Sequence, residues 1–146
     1  MEHVTERYRE RSQGPLLQRA SQLFAALTLG AHEGLVVDGE VAALWARRAD
    51  GRRVPLDGLS DGTRDQLYLA LRLAALELYM DSAEPMPFIA DDLFVNYDDD
   101  RALAGLRQLT EVSRRTQVIF LTHHAHMVEL ARDNLAERVH VVELSA

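Results

Sequence analysis

The sequence predicts an α/β fold with a mostly parallel sheet flanked by helices and a small antiparallel sheet near the N-terminus. From about residue 60 onward, apolar strand-like runs alternate with amphipathic helical segments, which is typical of parallel βαβ units. Nearer the N-terminus, two β-prone runs are separated by Asp50-Gly51, a hairpin turn signal. The chain has 146 residues with 47% hydrophobic content, which is enough to bury one core and short for two domains.

The N-terminal elements are one helix and three short strands. An amphipathic helix is predicted to begin at Gly14-Pro15, because proline suits the first turn of a helix. Apolar residues then recur at helical spacing up to Gly30, namely Leu16, Ala20, Leu23, Phe24 and Leu27. The runs 35–37, 41–48 and 53–55 follow and are predicted to form the antiparallel sheet.

The later elements alternate between helix and strand. A long helix is predicted over residues 63–80, with Leu67, Ala70, Leu71, Ala74 and Leu78 on one face. It is followed by a buried strand at 88–90, a helix at 99–115, a strand at 118–121, a short helix at 127–132 and a last strand at 139–144. The 99–115 helix has acidic residues in its first turn and Arg114-Arg115 in its last, as the helix dipole favours.

The composition excludes several classes of protein. The absence of cysteine excludes disulfides and thiolate metal sites, and no apolar run reaches the length of a membrane span. We therefore expect a soluble cytoplasmic protein without a membrane partner. The net charge of −7 argues against a free-standing nucleic-acid binder. All sixteen basic residues are Arg, and the lack of any Lys excludes a complete P-loop.

An acidic pair, Asp91-Asp92, follows the predicted strand at 88–90. Open α/β sheets bind ligands in the crevice at the carboxyl ends of their strands. One carboxylate there is suited to hold Mg²⁺ while its neighbour polarises an attacking water. The alternative interpretation is that the two residues only end the strand or cap the next turn.

A second candidate site is the segment Leu59-Ser60-Asp61-Gly62 before the long helix. A helix N-terminus offers free backbone N–H groups to an anion, Ser60 adds a hydroxyl, and Gly62 permits close approach. An ordinary N-cap explains the same residues.

The third candidate is the histidine segment from Thr122 to His126, at the same predicted sheet edge as Asp91-Asp92. A histidine there is suited to contact a γ-phosphate and to sense its loss. A metal site is a second interpretation, although consecutive histidines lack the spacing of zinc motifs. Simple loop histidines are a third. Downstream of the acidic pair, Asn96-Tyr97-Asp98 is typical of a helix-capping turn.

Taken in order, these features resemble the C-terminal lobe of an ABC-type ATPase head, a P-loop NTPase fold. The resemblance is to the SMC/SbcC class, particularly to its YhaN-like bacterial relatives, and covers residues 54–144 well. It implies that residues 1–30 are a helix returning from a coiled-coil arm and that residues 31–146 are the ATPase lobe without Walker A. The parent would act in DNA repair, recombination or chromosome maintenance.

The resemblance also implies a role for each candidate residue. Residues 59–63 look like the ABC signature motif, with Ser60 and Gly62 on the γ-phosphate of an opposing head. Residues 86–92 look like Walker B, with Asp91 serving Mg²⁺ and Asp92 standing where the family usually has the catalytic Glu. Asp98 would lie in the D-loop at the dimer seam, and His123 would be the switch histidine.

Two departures from the family pattern are present. Asp61 replaces the usual first glycine of the signature, and Asp92 is one methylene shorter than Glu. The sequence Thr-Arg-Asp-Gln after Gly62 nevertheless looks like the YhaN-like form of the signature.

The resemblance implies that the site is composite. A Walker A lobe, in the same or a companion chain, would supply the missing lysine, and a second head would complete a homodimer around ATP and Mg²⁺. DNA would be reached through the parent protein. The isolated chain is expected to bind ATP weakly or not at all and to be inactive as an ATPase.

Two other functions are compatible with the same residues. One is a non-catalytic interaction module that keeps the fold without the chemistry. The other is a metal-dependent hydrolase that uses Asp91, Asp92 and the histidines from 123 to 126.

Overall fold

A computed structural model describes residues 2–38 and 43–144, and for residues 2–13 it describes the backbone alone. The chain forms two compact units, Met1–Ala83 and Glu84–Ala146, where the sequence predicted a single core. Among the helices of the described residues, none is both long enough and apolar enough to cross a membrane.

The first unit contains two long helices and an antiparallel sheet. Its elements are α1 (Glu2–Leu27), β1 (His32–Asp38), β2 (Ala43–Arg48), β3 (Arg53–Pro55) and α2 (Asp61–Met80), with a 3-10 turn at Leu56–Gly58. The strands pair in the order β1-β2-β3. Gly51 has a φ of 83°, as the predicted Asp50-Gly51 turn requires. The predicted antiparallel sheet is confirmed, and Val41 and Ala42 of the predicted second strand lie outside the described residues.

The prediction that the first helix begins at Pro15 is wrong, because α1 is helical from Glu2 and contains Pro15 in its interior. A proline there lacks the N–H that would bond to the carbonyl of Arg11, at a cost of about 3 kcal/mol. The residues before it are rich in Glu, Arg and Gln, which are good helix formers and offset part of that cost.

The core of the first unit is built from α1, α2 and the sheet. Its buried apolar side chains are Ala20, Leu23, Phe24, Leu27, Leu35, Ala46, Leu59, Leu67, Leu69, Ala70, Leu73, Ala74 and Met80. Leu71 and Leu78, predicted on the buried face of α2, are half-buried instead. The fully buried Gln66 donates from Nε2 to the carbonyl of Leu27, which satisfies one of the free carbonyls at the end of α1.

The second unit is a parallel strand pair joined through a helix. Its elements are β4 (Phe88–Asp91), α3 (Asp99–Val112), β5 (Val118–Leu121) and α4 (Ala125–Leu135), with a 3-10 turn at Ala136–Arg138. β4 pairs with β5 in register from Phe88 opposite Val118 to Asp91 opposite Leu121. The predicted parallel arrangement is confirmed. The helix ends differ by a few residues from those predicted, so Arg114-Arg115 follow α3 rather than ending it.

The predicted last strand is wrong, because residues 139–144 are not in a strand. A strand needs a neighbouring edge with which to pair, and hydrophobic alternation alone does not supply one. Val142 and Leu144 are left exposed.

The predicted strand at 88–90 is buried on one face only. Phe88 and Ala90 are buried, whereas Ile89 is 58% exposed. On β5, Ile119 and Leu121 are exposed on the same side as Ile89. The parallel pair therefore has one uncovered apolar face within the described chain.

Candidate functional site

Asp91 and Asp92 are adjacent in sequence but are placed differently at the end of β4. Asp91 is the last residue of the strand and is exposed, on the same face as Ile89. Asp92 continues the pairing, since its N–H donates to the carbonyl of Leu121 at 2.9 Å. Its φ is 46°, a left-handed conformation that Asp and Asn tolerate better than most residues. The two carboxylates differ in exposure, since Asp91 is exposed whereas the side chain of Asp92 is only 27% exposed.

The carboxylate of Asp92 contacts the ring of His123. His123 follows β5, and its Nδ1 lies 2.6 Å from Asp92 Oδ2. An ionised carboxylate only accepts hydrogen bonds, so Nδ1 carries the hydrogen. His123 Nε2 is then the ring atom left for another group. The side chain of His123 is 76% exposed and that of Asp92 is 27% exposed, so the pair opens to solvent through the histidine.

The pKa of Asp92 lies below its ordinary value. Partial burial raises this pKa, but several opposing effects together outweigh the burial. These are the hydrogen bond from the Thr122 side chain, the charges of His123 and His124, and the backbone N–H of His123. Asp92 is therefore ionised at neutral pH and is a ready acceptor of hydrogen bonds and cations.

His124 joins the same group of side chains. It is the N-cap residue of α4, and its backbone N–H donates to Thr122 Oγ1 at 3.1 Å. The rings of His123 and His124 have centroids 4.0 Å apart and are tilted by 36°. Asp92, His123 and His124 each offer a ligand atom, and these three atoms lie within 4.8 Å of one another.

His126 belongs to a different contact. Its Nε2 lies 2.7 Å from Asp99 Oδ1 in the first turn of α3. This hydrogen bond, together with the charges of Asp99 and Glu129, raises the pKa of His126 above its ordinary value against a small effect of burial. The predicted histidine group therefore divides, with His123 and His124 at Asp92 and His126 at Asp99.

The remaining predicted residues are at helix starts. Asp98 is the N-cap of α3 and accepts the N–H of Arg101 at 2.9 Å. Ser60 is the N-cap of α2, where its Oγ accepts the N–H of Thr63 at 3.3 Å and lies 2.8 Å from Thr63 Oγ1. Gly62 lies in the first turn of α2. The capping geometry expected from the sequence is thus present at both helices.

The predicted residues are divided between the two units. Ser60 and Gly62 belong to the first unit, and Asp91, Asp92, Asp98 and His123 belong to the second. Within the second unit, Asp92 and His123 are in direct contact.

Solved structures with the same architecture are heads of SMC ATPases. One was determined in work on the ATP-driven dimerization and DNA-stimulated activation of SMC ATPases; it aligns with a TM-score of 0.67 at 19% identity, over 84% of this chain and 75% of that chain. A Smc head domain with an extended coiled coil, bound to the C-terminal domain of ScpA, from Pyrococcus furiosus aligns with a TM-score of 0.64 at 20% identity, over 82% of this chain and 31% of that one. The SMC head domain from Thermotoga maritima aligns with a TM-score of 0.57 at 24% identity, over 80% of this chain and 40% of that chain. The chain has the fold of an SMC ATPase head.

A similar curated protein is the uncharacterized protein YhaN of Bacillus subtilis (strain 168). It is 30% identical over 123 residues, which are 84% of this chain and 13% of that protein. No protein-family model matches the sequence. The resemblance to SMC heads and to YhaN that the sequence predicted is confirmed, and the chain spans a small part of the length of YhaN.

Two residues of the group around Asp92 were not identified individually from the sequence. His124 lies in the predicted histidine segment, but its contact with the acidic residue depends on the turn that makes it the N-cap of α4. Thr122 accepts the N–H of His124 and hydrogen-bonds Asp92. A threonine directly after a strand, two residues before a helix start, is the local signal for such a turn.

Proposed function

We propose that the chain supplies the C-terminal half of a composite ATP-hydrolysing site in an SMC/SbcC-like head. In this proposal Asp92 is the catalytic base, His123 is the switch histidine and Asp91 is the Mg²⁺ ligand. The parent protein would act in DNA repair, recombination or chromosome maintenance, with a coiled-coil arm entering through residues 1–30.

The observation that carries the proposal is the contact between His123 Nδ1 and Asp92 Oδ2 at 2.6 Å. It joins an acid and an imidazole at the carboxyl ends of two parallel strands, where α/β sheets bind their ligands. The fold around this pair is that of SMC ATPase heads, and one of those heads was solved in work on the ATP-driven dimerization of SMC ATPases.

The chemistry of this chain's own residues follows from that contact. Asp92 is ionised at neutral pH because its pKa lies below the ordinary value, so it is able to accept a proton from an attacking water. His123 is oriented by the hydrogen bond from its Nδ1 to Asp92 and presents Nε2 to a phosphate oxygen. Loss of that oxygen would be sensed through the same ring.

Asp91 fits the role of a Mg²⁺ ligand. Its carboxylate is exposed at the end of β4, and none of the side chains described, those of residues 14–38 and 43–144, forms an ion pair or hydrogen bond with it. Mg²⁺ prefers oxygen ligands and is commonly held by one or two carboxylates together with phosphates. When bound, the ion would neutralise charge on the phosphate oxygens.

Three further residues complete the proposed site. Ser60 and Gly62, at the start of α2, would contact the γ-phosphate held by an opposing head through free backbone N–H groups and the Ser60 hydroxyl. Asp98, the N-cap of α3, would lie in the D-loop at the seam between heads. Asp61 is exposed at the same helix start and adds a negative charge that weakens phosphate binding relative to glycine.

The Walker A lobe is the partner that the chain requires in this proposal. The sequence has no lysine to cradle phosphates, and arginine is a poor substitute for that compact ammonium. Parallel sheets are normally covered on both faces, and the described residues leave the face bearing Ile89, Ile119 and Leu121 uncovered. Both facts support a Walker A lobe, from the same or a companion chain, that packs on this face of β4 and β5. A second copy of the completed head would form the homodimer.

The test is ATP turnover by the chain assembled with its Walker A lobe. Asp92→Asn is expected to lower turnover by about 100-fold or more, as removal of a general base does. The matched control is Asp133→Asn, which removes one exposed carboxylate from α4 in the same unit and is expected to leave turnover unchanged. Equal turnover in wild type and Asp92→Asn would overturn the role of Asp92, and no turnover in any assembly would overturn the ATPase proposal itself.

A further inference from the structure

Asp92, His123 and His124 form a compact set of metal-ligand side chains, which we call the Asp92 cluster. Their ligand atoms lie within 4.8 Å of one another. Ligands of a tetrahedral metal at about 2.0–2.1 Å are separated by roughly 3.3–3.5 Å, so the widest pair of ligand atoms needs to approach by up to about 1.4 Å. His123 is 76% exposed, so its ring has room to make that adjustment once its Nδ1 gives up the hydrogen bond to Asp92 Oδ2.

Two atoms of the Asp92 cluster are buried and have no hydrogen-bond partner among the described residues. They are Asp92 Oδ1 and His124 Nε2. Buried polar atoms are nearly always paired, and one left unpaired is destabilising. Both atoms are of types that bind metals, the first as a carboxylate oxygen and the second as an imidazole nitrogen. A bound cation would satisfy both at once.

The ligand types select a class of metal. Two imidazoles and one carboxylate suit zinc and related first-row transition metals, whereas Mg²⁺ and Ca²⁺ favour sites made of oxygen atoms. Three protein ligands with a fourth position open to solvent are typical of non-structural zinc sites. His126 is excluded from the set because it is engaged by Asp99 at 2.7 Å.

The backbone holds the cluster in place before any metal arrives. Asp92 is fixed by its N–H bond to Leu121, and His124 is fixed as the N-cap of α4 by its N–H bond to Thr122. Ligands anchored in this way lose little freedom when they bind an ion. We propose that Asp92, His123 and His124 bind one zinc-class transition-metal ion.

This site has a consequence for nucleotide hydrolysis that rests on the proposed function. The metal would occupy Asp92 and His123, the base and the switch histidine of the proposed ATPase site. Zinc binding and ATP hydrolysis would then exclude one another, and zinc would inhibit the assembled ATPase.

Binding is tested on the chain alone, without nucleotide, by titrating EDTA-stripped, untagged protein with Zn²⁺ in a calorimeter. The wild type is expected to bind one Zn²⁺ per chain at this site. His124→Ala is expected to weaken that binding by at least about 100-fold, because loss of even a supporting partner behind a ligand costs about 10–100-fold. The N-cap side chain of α4 makes no capping hydrogen bond, so this variant retains the helix start.

The matched control is His126→Ala, which removes a histidine of the same segment outside the cluster and is expected to bind Zn²⁺ as the wild type does. A second readout is the absorption spectrum of Co²⁺ in place of Zn²⁺, which reports nitrogen and oxygen ligands in a four-coordinate site. Absence of stoichiometric Zn²⁺ binding by wild type, or equal affinity in His124→Ala, would overturn the proposal.

Inhibition is tested separately in the assembled ATPase. Zn²⁺ is expected to lower turnover of wild type and of His126→Ala, and to lower that of His124→Ala far less. If the assembly has no turnover, the proposed ATPase function fails while the zinc titration still decides the metal site. Equal inhibition of wild type and His124→Ala would overturn the link between zinc binding at the Asp92 cluster and inhibition of ATP hydrolysis.

Discussion

The backbone of Gly105 in α3 lies directly against the ring of Phe94. A Cβ placed on Gly105 would overlap Phe94 Cε1 and Cζ and would come within 3.1 Å of Phe94 Cδ1. Phe94 is 1% exposed and stacks on Phe120 of β5 with ring centroids 5.4 Å apart. Gly105 therefore permits the close packing of α3 against the segment that follows the acidic pair.

Gly105→Ala is expected to destabilise the chain. Alanine at an unconstrained helix position would stabilise by about 0.5–1 kcal/mol relative to glycine, but here the added methyl collides with a buried ring that cannot move away. Overpacking of this kind costs about 1–3 kcal/mol. The free energy of unfolding from urea titration measures the change.

The control for this substitution is Gly14→Ala in α1. A Cβ at Gly14 meets no atom within 4 Å beyond its chain neighbours, so no collision with another element is expected, and any change in stability there reflects the backbone beside Pro15 alone. A stabilising Gly105→Ala would contradict the described contact with Phe94.

The left-handed backbone of Asp92 leads to a second prediction. At a φ of 46°, a β-branched residue is strained, whereas Asn is tolerated nearly as well as Asp. Asp92→Val is expected to be less stable than Asp92→Asn by about 1–2 kcal/mol, as measured by urea unfolding. Asp91→Val is the neighbouring control, because Asp91 is in a strand, where valine is favoured. Equal stability of the two Asp92 variants would show that the turn is not left-handed.

The parts of the fold that sequence predicted correctly depend on local signals. The hairpin follows from Asp50-Gly51 between two β-prone runs, and the start of α2 follows from Ser60 before an amphipathic run. Both signals act within a few residues, so they are visible without knowledge of the tertiary structure.

The features that sequence missed depend on what lies elsewhere in the molecule. Residues 139–144 alternate as a strand would, but a strand forms only beside a free edge. The strand at 88–90 was predicted to be buried, yet Ile89 is exposed, because an apolar run does not reveal whether another layer covers it. The sequence placed the histidines from 123 to 126 at the same edge as Asp91-Asp92 but did not divide them, since it is the turn at Thr122 that brings His124, and not His126, beside His123 and Asp92.

A third prediction concerns the ion pair between α1 and α2. Arg19 donates to Glu77 through both Nε and Nη2, and Nη2 lies 2.9 Å from Glu77 Oε1. The Glu77 side chain is 15% exposed. The two-bonded geometry raises the pKa of Arg19 through the Glu77 hydrogen bond and makes this pair stronger than a surface pair. A double-mutant cycle with Arg19→Ala and Glu77→Ala is expected to give a coupling energy of about 1 kcal/mol.

The comparison pair for that cycle is Arg114 with Glu111, an exposed i,i+3 contact at 3.3 Å. Such pairs contribute about 0.2–0.5 kcal/mol. A coupling for Arg19 and Glu77 no larger than that of Arg114 and Glu111 would show that the two-bonded contact is not formed in solution.

The pair of His126 and Asp99 makes stability depend on pH. Because the hydrogen bond to Asp99 raises the pKa of His126 above its unfolded value of about 6.5, protonation is favoured in the folded chain. The stabilising contribution is present in full below about pH 6.5 and is lost as the pH rises through the raised pKa. The stability of wild type relative to Asp99→Asn is therefore expected to be greater at pH 5.5 than at pH 8.5. NMR titration of the His126 ring in both proteins tests the cause, and an unchanged midpoint in Asp99→Asn would show that Asp99 is not responsible.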